Sequence, residues 1–193
     1  MNQTMITLQQ IFDAEICAED GWHKVLNANG GTRADYDAPF PMSSILDSND
    51  LEDTLWLLRC LPAESQLWRR FAWWCASSVV HLTTNKAAQS KLDVIDAYIK
   101  GDATDEQLKS VSYAARAGTD AARAAARAIS HAARDETDMA LAAARAARAA
   151  RDATSDFRDA TDASQLETLR QLLDHGTYPA PKQSACNYSN AVL

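Results

Sequence analysis

Half of the residues between positions 114 and 153 are alanine, and that fact limits the folds open to the chain more than any other. Alanine has the best intrinsic helix propensity, so the segment forms helix readily. It buries little apolar area per residue, so such helices gain stability only by approaching a partner closely. Gly118-Thr119 and Asp135-Glu136-Thr137-Asp138 interrupt the run. The expectation is two or three short alanine-rich helices in place of one rod. Arginines at 116, 123, 127 and 134 step by 7, 4 and 7, and Arg145, Arg148 and Arg151 step by 3. Each set falls along one helical stripe.

Caps and stops divide the rest of the chain into further helices. Thr7 is placed to cap Leu8–Ala14, and Asp20 to cap a helix through Trp22, Val25 and Leu26 that ends at Asn29-Gly30-Gly31. Residues 32–42 carry Pro39 and Pro41 and read as irregular. Ser43 or Ser44 starts a short turn through Ile45 and Leu46, and Asp50 caps Leu51–Cys60. From Ala63 to Leu82, Leu67, Trp68, Phe71, Trp74, Cys75, Ser78, Val79 and Leu82 recur at helical spacing, with Trp73 widening the stripe. Three tryptophans in seven residues could suggest a ligand box, but at this spacing they read as core. An amphipathic helix follows over Lys86–Lys100, with Leu92, Ile95 and Ile99 inward and Gly101 as its stop. Thr104 and Gln107 form a capping-box pair opening a helix through Leu108, Val111 and Tyr113. A last helix is predicted from Asp162 to Leu173, capped by Thr161 or Asp162 and stopped at His175-Gly176.

These signals predict an all-α fold: a single compact multi-helix domain of eight or nine helices, with Trp68–Val79 central and the alanine-rich C-terminal helices leaning on it. Residues 1–62 read as an acidic helical and loop region, 63–176 as the helical core, and 177–193 as a short disordered tail. No stretch approaches the roughly 20 apolar residues of a membrane span. The N-terminus has neither the basic flank nor the apolar stretch of a secretory signal, so a cytoplasmic protein is expected. Cys17, Cys60, Cys75 and Cys186 share no CxxC spacing and read as free thiols.

The net charge of −7 is unevenly distributed. Residues 1–63 carry ten acids and three bases, residues 64–113 balance, residues 114–153 carry seven arginines and five acids, and residues 154–193 return to −2. The first third therefore holds the net negative charge. Such a surface attracts basic partners and repels nucleic acid. The arginine stripes are interleaved with Asp120, Asp135, Asp138 and Asp152, which favours pairing with the protein's own acidic first third over a phosphate-binding surface.

Catalytic and cofactor signatures are missing from the sequence. Gly30-Gly31 lacks the spacing and lysine of a phosphate loop. His23, His81, His131 and His175 form no two-ligand turn with each other or with cysteine, and Cys75 and His81 lie nearly opposite on a helix. Cys17, Asp20 and His23 cluster without a third group to complete a nucleophile site. His81, after Val79-Val80, reads as a semi-buried or capping residue. The expectation is a non-enzymatic protein with no cofactor and no metal.

The run from Trp68-Arg69-Arg70-Phe71-Ala72-Trp73-Trp74-Cys75-Ala76 through Val80-His81-Leu82 and on to Ile99-Lys100-Gly101-Asp102-Ala103-Thr104-Asp105-Glu106-Gln107-Leu108, followed by alanine-rich helices, resembles the immunity-protein family of bacteria and (pro)phages. Ile45 to Arg59 is similar to the segment preceding this core in phage-borne relatives. The likeness spans roughly residues 5–173 and carries no active-site residue. It implies a protein that binds another protein, from the host or a toxin, and blocks a basic surface on it. A phage-encoded anti-defence inhibitor, of anti-CRISPR or anti-restriction kind, acting in the host cytoplasm is one form. A toxin-neutralising immunity protein is another. From a different class stands an assembly protein self-associating through its Ala/Arg-rich helices. The acidic residues Asp35, Asp37, Asp47, Asp50, Glu52 and Asp53 are the candidate partner-binding surface, with neither nucleic acid nor membrane as partner.

Overall fold

The computed structural model describes residues 3–14, 19–57, 60–61, 65–82, 86–111, 127–128, 131–132, 139–154 and 158–177. Among them are nine α-helices: α1 (Leu8–Asp13), α2 (Glu19–Ala28), α3 (Ile45–Ser48), α4 (Leu51–Leu57), α5 (Ser65–Val79), α6 (Lys86–Lys100), α7 (Asp105–Val111), α8 (Met139–Ala153) and α9 (Arg158–His175). The fold is all-α, as the caps and stripes predict, with one two-stranded antiparallel sheet. In it β1 (Met5–Ile6) pairs with β2 (Phe40–Pro41), Met5 opposite Pro41 and Ile6 opposite Phe40.

Helix α5 is the centre because its sequence is apolar around most of its circumference. Trp68, Phe71, Ala72, Trp74, Cys75, Ala76 and Val79 are all buried. The tryptophans are core, as their spacing implies. The Trp68 indole donates to the Leu61 carbonyl at 3.2 Å and the half-buried Trp73 indole to the Leu92 carbonyl at 3.1 Å, which fastens α6 across α5. Arg69 is also buried, its guanidinium 4.9 Å over the Tyr98 ring. Burial drives the Cys75 thiol far above its ordinary pKa and makes it an inert filler.

The most extensive helix–helix contact among the described elements joins α5 to α8. Ala142, Ala143, Ala146, Ala147 and Ala150 of α8 are essentially fully buried. Side chains this small let two backbones approach at the short end of interhelical distances, where many weak dispersion contacts add up. Polar ties then hold α9 against α8. Buried Gln165 donates to the Ala147 carbonyl at 3.1 Å, the Thr154 and Thr161 hydroxyls meet at 2.8 Å, and Arg151 pairs with Asp162.

The first residues clasp the last described helix. Thr4 N–H donates to the Leu173 carbonyl at 2.8 Å, and the Gln3 amide and Ser43 hydroxyl both donate to the Asp174 carboxylate. Arg170 of α9 reaches the Ser43 carbonyl at 3.3 Å and Asp47 at 2.7 Å. The described residues of the first third are thus joined to α9. Their Ile6, Leu8, Ile11, Met42 and Ile45 belong to the same hydrophobic cluster as α5, α8 and α9.

Several local expectations need correction. Helix α2 begins at Glu19, so Asp20 lies in its first turn and is not its cap. Phe40–Pro41 is strand within the stretch read as irregular; Pro41 is tolerated because β2 is an edge, where no ladder donor is missed. Cys60, expected as the last residue of that helix, is in 3-10 conformation. Helix α9 starts at Arg158, four residues ahead of Asp162, so Thr161 is interior and spends its hydroxyl on Thr154. His81 is exposed. The reciprocal bonds of the Thr7–Gln10 and Thr104–Gln107 capping boxes are both formed, although only the second stood out in the sequence. The expected breaks at Gly118 and Asp135–Asp138 and the tail from 178 onward lie outside the described residues.

Two stability tests follow from this packing. Ala146→Leu should overpack the α5–α8 seam and lower the unfolding free energy by about 1–3 kcal/mol, while Ala163→Leu, on the exposed face of α9, should change it by less than about 0.5 kcal/mol in the same denaturant titration. The second concerns Asp174. Partial burial pushes its carboxyl pKa up, but hydrogen bonds from Ser43 and Gln3 and the charges of His175 and Arg170 outweigh this and hold it below the usual carboxylate range. A lowered folded-state pKa stabilises above the unfolded value and loses that contribution as pH falls through the folded one. The Tm advantage of the native protein over Asp174→Asn should therefore be constant at neutral pH and shrink below about pH 4.

Candidate functional site

The acidic first third folds into two separate groups of carboxylates. In the first, Asp50 precedes α4 and accepts from the Asp53 N–H at 2.9 Å, acting as the helix cap. Asp53 accepts from the Asn49 amide at 3.1 Å and faces Lys24 at 3.4 Å, closing α4 onto α2. A Cβ added at Gly21 would meet this carboxylate at 3.3 Å, so glycine is what lets α2 lie so near. Asp47 is drawn to Arg170 of α9. Glu52 lies in α4 with its side chain outside the described residues. Asp47, Asp50 and Asp53 thus each have a partner that ties α3 or α4 into the fold.

Asp35 and Asp37 form the second group, on the loop after α2. Gly30 and Gly31 take positive φ (108° and 62°), a conformation costly for other residues, and turn the chain out of α2 into a 3-10 turn over Gly31–Arg33. The Asp35 carboxylate then accepts from the Asp37 N–H at 3.1 Å, an Asx turn that shapes the loop tip. The Tyr36 carbonyl between them accepts from the Gln9 N–H at 3.0 Å, satisfying one of the donors left open in the first turn of α1.

That bond brings three aromatic rings together. Phe12 of α1, Trp22 of α2 and Tyr36 of the loop form a triangle with centroid separations of 6.2, 6.5 and 6.0 Å, all tilted or edge-on. Such geometry is favourable between ring quadrupoles. Trp22 and Tyr36 are half-buried against the core, whereas Phe12 is 60 % exposed, the largest exposure of a big apolar side chain among the described residues. Asp13, Asp35 and Asp37, all exposed, sit next to these rings in sequence, with the exposed Lys24 and Arg33 two and three residues from Trp22 and Tyr36. The result is an aromatic knob on elements that carry three exposed carboxylates.

The sequence reading found the carboxylates but missed the rings. Leu8, Ile11 and Phe12 look like one inward stripe at i, i+3, i+4, yet a helix of six residues has room to bury only Leu8 and Ile11. The signal that could have separated them is the Asp13 that follows and the turn-forming Asp35-Tyr36-Asp37, which places an aromatic on a polar loop.

Of the arginine stripes, Arg116, Arg123 and Arg134 lie outside the described residues, and Arg127 is exposed. Arg145 and Arg148 are exposed on α8, while Arg151 pairs with Asp162 of α9 and not with the acidic first third. Among the described residues no group of three metal-ligating side chains assembles, and no helix is long and apolar enough to cross a membrane. Cys17 lies outside them, and His23 is exposed on α2. No family model matches the chain, and neither the curated proteins nor the solved structures contain a match.

The split between structural and outward carboxylates can be tested by stability alone. Asp50→Ala should cost about 1 kcal/mol through loss of the α4 cap, whereas Asp37→Ala should stay within about 0.5 kcal/mol of the native value in urea unfolding.

Proposed function

We propose that this chain is a non-catalytic protein–protein inhibitor that works by occluding a basic surface of its partner, of the anti-defence kind that its likeness to phage-borne immunity proteins suggests. The observation that carries the reading is the exposed Phe12 knob, packed with Trp22 and Tyr36, on elements that also carry the exposed Asp13, Asp35 and Asp37. Interfaces of this type concentrate their energy in a few aromatic anchors whose surroundings exclude water. Carboxylates on the same elements speed encounter with a basic partner and reject acidic ones. The ring geometry supports this because a knob already fixed by two neighbours loses little side-chain entropy on binding. Asp47, Asp50 and Asp53 contribute mainly to the long-range field, since their side chains also serve the fold.

Photo-crosslinking provides the test. A photoreactive residue at position 12 should trap a protein other than the chain itself from lysate of the cells that produce it. The same residue at exposed position 89 on α6 should not. Asp35→Lys with Asp37→Lys should reduce the position-12 product at least tenfold, and raising salt should do the same in a graded way. Equal products from positions 12 and 89 would sink the reading.

A further inference from the structure

The carboxylates of the first third differ in what balances their charge. Asp47 and Asp53 are ion-paired to Arg170 and Lys24, and Asp50 caps α4. Asp13 accepts from the neutral Gln9 amide at 2.7 Å, and Asp35 from the Asp37 backbone N–H at 3.1 Å. Among the described residues no ion pair involves Asp13, Asp35 or Asp37. Arg33 is the one cation of the loop from Gly30 to Phe40, and Lys24 of α2 is engaged by Asp53. Charge on these elements is therefore left negative.

The same elements carry the aromatic triangle. Asp13 follows Phe12, and Asp35 and Asp37 flank Tyr36. The face of an aromatic ring is the negative pole of its quadrupole, so rings and carboxylates both draw a cation. No two of the rings stack: Phe12 is inclined at 50° to Trp22 and 76° to Tyr36, and Trp22 at 58° to Tyr36. No parallel ring of the triangle covers a face of Phe12, which is 60 % exposed. With the centroids 6.0 to 6.5 Å apart, a cation about 4 Å out from the triangle's centre lies within the reach, roughly 6 Å, of all three rings. The chain makes such a contact within its own fold, where the Arg69 guanidinium lies 4.9 Å over the Tyr98 ring.

We infer that the Phe12–Trp22–Tyr36 triangle is a recognition site for an arginine side chain on the partner protein. The inference rests on the occlusive binding proposed above for the existence of that partner, and it names the group the partner presents. A guanidinium is planar, is more weakly hydrated than an ammonium and lies flat on a ring. A lysine ammonium gives up its water less readily and gains less from an exposed aromatic face. An apolar side chain would gain the ring's area but nothing from the three carboxylates. Arginine is also among the residues that most often carry the energy of an interface.

The test titrates capped tripeptides, with glycine on either side of one variable residue, into the purified full-length chain. The variable residue is arginine, its uncharged isostere citrulline, lysine or norleucine, and NMR follows the side-chain protons of each peptide. Those of the arginine peptide should move upfield under the ring currents and saturate. The citrulline and norleucine peptides should bind about tenfold more weakly, and the lysine peptide severalfold more weakly. Phe12→Leu keeps apolar bulk without the ring, and should weaken arginine binding about tenfold at an unchanged unfolding midpoint. Asp13→Asn with Asp37→Asn should weaken it about threefold at low salt and much less at high salt. Citrulline, norleucine or lysine binding as tightly as arginine would overturn the inference, as would arginine binding unchanged in Phe12→Leu or no saturable shift. A position-12 crosslink that persists while the arginine peptide fails removes this inference and leaves the inhibitor reading standing. Arginine binding without a crosslinked partner does the reverse.

Discussion

The close seating of an alanine face on an aromatic one, α8 on α5, is the contact on which the rest of the molecule depends. Burying alanine yields little hydrophobic free energy per residue, so the seam is stabilised by proximity and by number of contacts. Proximity has a consequence: a seam of small side chains offers little to resist sliding along the helix axis. The polar ties between α8 and α9 serve that need indirectly, because α9 itself also packs on α5. The Gln165–Ala147 hydrogen bond, the Thr154–Thr161 hydroxyl pair and the Arg151–Asp162 ion pair each fix one register of the two helices. At the far end, Arg170 and Asp174 of α9 hold the N-terminal strand and the Ser43 turn. Gln3, Thr4 and Ser43 are thereby tied to α9.

This division of labour explains what could be read in the sequence. Helix identity was legible almost everywhere, because propensity, caps and apolar period are local properties. The Thr104–Gln107 capping box, the Gly101 stop and the stripe from Leu67 to Val79 all reflect forces acting within a few residues. The clasp was not legible. Thr4 to Leu173 and Gln3 to Asp174 are contacts of extreme sequence separation, and the paired strands are too short to show a period of two. The start of α9 escaped for a related reason. Thr161 and Asp162 look like caps, but each finds a better use on α8, and tertiary bonding overrides the local preference.

The acidic residues show the same ambiguity in another form. A count of charge treats all ten acids of the first third as one surface. The fold draws Asp50 into a helix cap, Asp53 into a bridge between α4 and α2, and Asp47 into an ion pair with α9. Asp35 shapes a turn yet stays at the surface, and Asp37 stays there with it. Composition thus located the acidic region without separating the carboxylates that build it from those that face outward. The aromatic triangle makes that separation, since it marks where the fold leaves apolar surface uncovered.

An exposed phenylalanine has to be weighed against the ease with which the fold could have hidden it. Six residues of α1 already bury Leu8 and Ile11, and a polar side chain at position 12 would satisfy the helix equally well. Trp22 and Tyr36 support the ring from two other elements, and the Gln9–Tyr36 bond ties the loop to α1. Three elements are therefore committed to holding a ring that contributes only part of its surface to the core. Scattered exposed apolar residues need no explanation, but one braced by two aromatic neighbours at an acidic loop is a different matter. The bracing removes rotational freedom in advance of any contact, and the carboxylates restrict which surfaces can approach. Both effects suit the occlusive binding proposed for this face.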